Sequence, residues 1–80
     1  MRVSLNGALR SGVGGAASID IEAATIRELM SKLIETYPDM QPFMDRGIAV
    51  AIDGVVFRDD WTQPIPAEAE VFLMPRIDGG

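Results

Sequence analysis

The sequence predicts an α+β fold, with one main helix packed on one face of a mixed sheet of four to five strands. Three observations predict it. Residues 1–5 and 17–22 alternate apolar and polar side chains with a period of two. Residues 25–37 change to a helical period and carry one continuous apolar stripe. Strand-like runs then return between residues 48 and 74, around a tight-turn signal and an irregular loop.

The first strand is MRVSL, with Met1, Val3 and Leu5 on one face and Arg2 and Ser4 on the other. Residues 6–16 are rich in glycine and predict a mobile hairpin loop. In ASIDIE, Ile19 and Ile21 point inward while Ser18, Asp20 and Glu22 point outward, so this segment closes a hairpin with strand one. Thr25 and Glu28 form a T-x-x-E capping box that opens the helix. Ile26, Leu29, Met30, Leu33, Ile34 and Tyr37 make its stripe, Glu28 and Lys32 are ordered for an i,i+4 pair, and Pro38 stops it. A helix of three turns is marginal in water, so the stripe must cover a sheet.

Residues 39–47 predict a short helical turn closing at Gly47, with Met40, Phe43 and Met44 plugging one end of the core. Ile48, Val50 and Ile52 alternate with Ala49 and Ala51, which leaves neither face polar and predicts an interior strand. Asp53-Gly54 signals a hairpin turn, after which Val55–Phe57 return. The loop at 58–69 is expected to tuck Trp61 and Ile65 under the sheet. Val71 to Met74 form the last strand, ended by Pro75. A hairpin followed by a helical crossover is the β-grasp, or ubiquitin-like, arrangement, in which the last strand lies parallel to the first. The domain is expected at 1–75, with a flexible tail at 76–80.

Composition narrows the function. The 80 residues make one domain, 48% hydrophobic and 24% charged, which is a globular mixture. Met1-Arg2 runs straight into the first strand rather than into a leader, and no apolar run reaches the roughly 20 residues of a membrane span. Cytoplasmic placement and no membrane partner are the expectation. There is no cysteine and no histidine, which removes the thiolate nucleophile, the commonest general base near neutral pH and the usual zinc ligands. No metal is expected. The net charge is −5 with a single lysine, Lys32, which argues against nucleic acid and suits a partner with a basic face, although solubility alone accounts for such a charge as well. Asp59 and Asp60 are neighbours, so in an extended chain they point to opposite faces and do not converge on one substrate. GVGG at 12–15 is followed by no lysine and opens no helix, so it is no phosphate cradle.

The sequence closes on MPRIDGG, residues 74–80. Gly79 and Gly80 bury no side chain and lose the most freedom on ordering, so the fold alone does not explain them. A terminal carboxylate offers another reason. It becomes an acyl donor once adenylated, and adenylation requires it to enter a nucleotide site on another protein. Two glycines supply the reach and the narrow cross-section.

These segments resemble the ubiquitin-like sulfur carriers, the ThiS/MoaD family, over essentially the whole chain. The resemblance is carried by VSLNGALRSGVG, ATIRELMSKLIETYP, AVAIDGVVF and, most specifically, EVFLMPRIDGG. It implies that an E1-like enzyme spends ATP to adenylate Gly80, that a persulfide donor converts the adenylate to a thiocarboxylate, and that the sulfur passes to an acceptor on a synthase subunit. The chain would then be a carrier or co-substrate, with no cofactor of its own. The molybdopterin synthase small subunit is the nearest type. Leu5-Asn6, Glu68-Ala69-Glu70 and Arg76 depart from that type, and other sulfur-transfer pathways stay open.

The resemblance also implies a docking surface near the tail, to which Arg10, Val56, Phe72, Met74 and Arg76 are assigned, with Gly79 and Gly80 as the reacting end. Phe72 and Val56 have an alternative reading as core residues, and Arg76 as a solvated cation. Two other functions stay open for the chain: a β-grasp interaction module with an inert tail, and a modifier conjugated to lysines.

Overall fold

The computed structural model describes residues 1–76. Its sheet has five strands: β1 (Arg2–Leu5), β2 (Ser18–Asp20), β3 (Ile48–Ile52), β4 (Val55–Phe57) and β5 (Val71–Pro75). They lie in the order β2-β1-β5-β3-β4. β1 and β5 run parallel at the centre, and every other pairing is antiparallel. This is the mixed sheet expected of a β-grasp fold.

The main helix, α1 (Ile26–Thr36), begins as its capping box predicts. The Thr25 Oγ1 accepts from the Glu28 N–H at 3.2 Å, and the Glu28 carboxylate reaches back to the Ala24 N–H at 3.1 Å. The next two helical N–H groups also find carbonyls: Ile26 donates to Gln63 and Arg27 to Trp61. The 58–69 loop therefore helps satisfy the helix end. Replacing Thr25 with alanine is expected to cost about 1 kcal/mol, read as a lower urea midpoint with an unchanged slope.

Ile26, Leu29, Met30 and Leu33 join Val3, Leu5, Ile19, Val50, Val71 and Leu73 in one buried cluster. α1 thus covers one face of the sheet. All five residues of β3 are buried, as an interior strand with small residues on its second face requires. Asp53 and Gly54 form the predicted turn, with φ of 49° and 85°.

Two sequence expectations fail. Residues 6–16 are not a mobile loop, because Gly7–Val13 form a 3-10 helix. The Asn6 side chain caps it by accepting from the Ala8 N–H at 2.9 Å, and Leu9 and Val13 are buried. Gly12 lies against Met40, where any side chain would collide with the sulfur. The glycines there serve close packing as well as turning. Trp61 is the second failure. Ile65 is buried as expected, but Trp61 stays 41% exposed. Its backbone carbonyl is the part that binds α1, and the indole remains at the surface.

The predicted turn at 39–47 is a 3-10 helix (Pro38–Met40) followed by α2 (Gln41–Arg46), closed by Gly47. Met40 is buried, and Phe43 and Met44 are partly buried against the core. Among the described residues, no helix is long and apolar enough to cross a membrane.

Candidate functional site: the open sheet face and the tail root

The strand register decides which side chains share the face that α1 leaves open. Ala51 pairs with Phe72 on one side and with Val56 on the other, and Ser4 pairs with both Phe72 and Ser18. One row therefore crosses the sheet as Ser18, Ser4, Phe72, Ala51 and Val56. Met74 pairs with Ala49 in the next row towards the end of β5. Phe72, Met74 and Val56 stand on this face, with Ala49 and Ala51 as a low floor between them.

Phe72 is 38% exposed and Val56 is 47% exposed, so neither is a core residue. Their neighbours along the same strands behave differently. Val71 and Leu73 point to the helix side and are buried at 3% and 0%. Alternation in β5 thus gives one strand two jobs: odd residues hold the core, and even residues face out. Phe72 and Val56 are thus large apolar side chains left exposed on this face. A groove of about 600 Å³ continues along the open face from Phe72 past Ser4 and Ala51 to Arg2 and Glu70.

The other assigned residues lie around this face rather than on it. Arg10 sits in the 3-10 helix after β1, exposed, with its Nε donating to the Leu5 carbonyl at 3.3 Å. Leu5 pairs with Leu73, so Arg10 stands at the end of the sheet where β5 finishes. Arg76 is placed elsewhere, at the corner between α2 and β3. Its backbone N–H donates to the Gly47 carbonyl at 3.0 Å, and its Nη1 donates to the Asp59 Oδ1 at 2.5 Å. A cleft of about 260 Å³ opens beside it, lined by Met44, Gly47, Ile48 and Trp61 among others. Gly79 and Gly80, the predicted reacting end, lie outside the described residues.

The structure also gives the paired aspartates separate partners. Asp59 binds Arg76, while Asp60 accepts from the Thr62 hydroxyl at 2.8 Å. Sequence reasoning missed Gly47 and Asp59 as neighbours of the tail root. Gly47 was legible only as a helix stop, and nothing local ties Asp59 to a residue 17 positions away.

Five strands in this order, one crossover helix and an apolar open face define a ubiquitin-like β-grasp domain. The ThiS family model matches residues 3–80, and the chain belongs to that family. Comparison with proteins of curated function gives no match. Solved structures share the fold at low identity. CysO of Amycolatopsis orientalis, in a complex with BexX, superposes with a TM-score of 0.77 at 20% identity, covering 99% of this chain and 98% of that one. The small archaeal modifier protein 1 of Haloferax volcanii gives 0.74 at 20% identity over 99% and 97% of the two chains. The complex of subunits 1 and 2 of the molybdopterin-converting factor of Helicobacter pylori gives 0.69 at 18%, over 99% and 96%.

Proposed function

We propose that this chain is a ubiquitin-like sulfur carrier that works through a thiocarboxylate on Gly80. The observation that carries the reading is the family match, which runs through residue 80 and so includes the Gly79-Gly80 end of the sequence. In this reading an E1-like enzyme uses ATP to convert the Gly80 carboxylate to an acyl adenylate. The terminal sulfur of a persulfide donor attacks the acyl carbon and displaces AMP. A thiol then cleaves the resulting acyl disulfide, which leaves the thiocarboxylate on Gly80 and a disulfide on the donor side. The thiocarboxylate gives its sulfur to an acceptor held by a synthase subunit. The carrier is a co-substrate: it presents the carbon that is activated, and its partners supply the chemistry.

The open face supports the docking half of this reading. Phe72 and Met74, on the strand that leads to the tail, and Val56, across Ala51, give a partner an apolar platform, and methionine adapts to more than one partner surface. Complexes in the fold family, CysO with BexX and the two molybdopterin-converting factor subunits, make a protein partner the natural reader of such a platform. A molybdopterin-type acceptor is the leading candidate.

The decisive measurement is intact mass after incubation with ATP, the activating enzyme and a sulfur source. The expected result is a gain equal to exchange of one oxygen for sulfur, mapped to the C-terminal peptide. An unchanged mass with an enzyme that is active on its own carrier would sink the proposal. The small archaeal modifier protein as a structural neighbour motivates a second reading, conjugation to lysines. That reading predicts isopeptide adducts ending in Gly79-Gly80 in cell lysate.

For the docking surface, Phe72→Ala is expected to weaken binding to the activating enzyme or the acceptor subunit by at least about tenfold, as for a central aromatic contact. The urea midpoint should barely move, since surface changes usually stay within about 0.5 kcal/mol. Titration calorimetry with unchanged affinity would remove Phe72 from the interface.

A further inference from the structure

Arg76 follows the last strand directly, yet three features hold it. Its backbone N–H donates to the Gly47 carbonyl at 3.0 Å. Its guanidinium pairs with Asp59 at 2.5 Å, with the Arg76 side chain only 32% exposed. Its aliphatic stem runs over Gly47, where an added Cβ would lie 3.2 Å from both Cβ and Cδ of Arg76. Gly47 has φ 106° and ψ 131°, a conformation that a side chain rarely tolerates. The glycine therefore serves twice: it turns the chain from α2 into β3, and it leaves the slot in which the arginine lies.

We propose that Gly47 and Asp59 are positioning residues for the Gly80 chemistry: they clamp Arg76 to the α2–β3 corner and so fix the point from which residues 77–80 begin. This rests on the sulfur-carrier reading above. Its consequence is a length limit. Four residues span at most about 14 Å when fully extended. An enzyme that acts on Gly80 must bring its reacting atoms within that distance of the clamp, or open the clamp first. Opening it releases little more chain, because Pro75 is already paired with Ile48 in the sheet. The clamp is thus a ruler that selects shallow active sites, and it spares the partner the task of ordering Arg76.

The test compares Asp59→Asn, which removes the charge and keeps the shape, with Asp59→Glu, which keeps the charge. Amide hydrogen exchange on the free protein reports the clamp without any partner. Protection of the Arg76 N–H is expected to fall about threefold to fivefold in Asp59→Asn, the scale of one exposed ion pair, and to be largely kept in Asp59→Glu. With the activating enzyme and ATP, pyrophosphate exchange should show KM raised about threefold in Asp59→Asn with kcat within about twofold, because the chemistry is untouched once the tail is seated. A merely structural role would lower the urea midpoint and leave KM alone. Equal Arg76 protection in wild type and Asp59→Asn overturns the clamp, and so does an unchanged KM. Failure of the wild-type chain to support pyrophosphate exchange sinks the sulfur-carrier reading and with it the positioning role, even where the exchange data show Arg76 held.

Discussion

Deletion of Gly80 is expected to abolish the ATP-dependent gain of sulfur while leaving the urea midpoint where it is in the intact chain. The two readouts separate because they depend on different residues. Among the described residues the buried cluster runs from Val3 to Leu73, and Gly80 has no side chain to bury. The proposed chemistry, in contrast, needs a carboxylate on Gly80 itself, at a set number of residues from the last strand. Removing one glycine moves the reacting carbon by about 3.5 Å and places it on Gly79, next to the bulkier Asp78. A misplacement of that size is ample to end transfer, since active-site errors of about 1 Å already cost about a hundredfold. Full thiocarboxylate formation by the shortened chain would contradict a Gly80-specific mechanism. An added residue after Gly80 should fail for the same reason.

The second large effect is expected at Leu73. Its side chain is fully buried in the central strand, paired with Leu5 on one side and Val50 on the other. Leu73→Ala removes apolar contact and leaves a cavity that the surrounding strands cannot readily close. The expected loss is about 2–5 kcal/mol. At roughly 0.05–0.15 kcal/mol per residue, a domain of this size holds only about 4–12 kcal/mol, so the variant loses a large share of its stability. With a urea slope near 1 kcal/mol per M, the midpoint should fall by roughly 2 M or more. A fall below about 0.5 M would mean that the strand repacks around the smaller side chain. Phe72→Ala, one residue away, is the matched control: it should alter binding and spare stability. Together the two variants test whether β5 divides its faces between fold and partner.

The elements that the sequence predicted correctly are those with a local cause. The α1 start is written in Thr25 and Glu28, its stripe in the spacing from Ile26 to Leu33, and the β3–β4 turn in Asp53-Gly54. The ordered helix at Gly7–Val13 was obscured by its glycines. Beyond the local Asn6 cap, it is held by Leu9 and Val13 reaching the core and by Met40 packing over Gly12, and none of these packing contacts is local. Trp61 misled for a related reason. Hydrophobicity says that an indole prefers burial, but the loop's place is set by backbone bonds to α1 and leaves the ring outside.

The candidate site divides in the same way. The sequence by itself determined the alternation in β5, which placed Phe72 and Met74 together, and the Gly79-Gly80 ending, because both are properties of consecutive residues. Only the tertiary structure decided that Val56 joins Phe72 across Ala51, that Arg10 stands at the end of the sheet, and that Arg76 turns away to Asp59 and Gly47. Those relations depend on strand order and on a corner built from segments 17 and 29 residues before Arg76. Chain periodicity shows which face a side chain takes. Which distant residues meet on that face is set by how the elements pack.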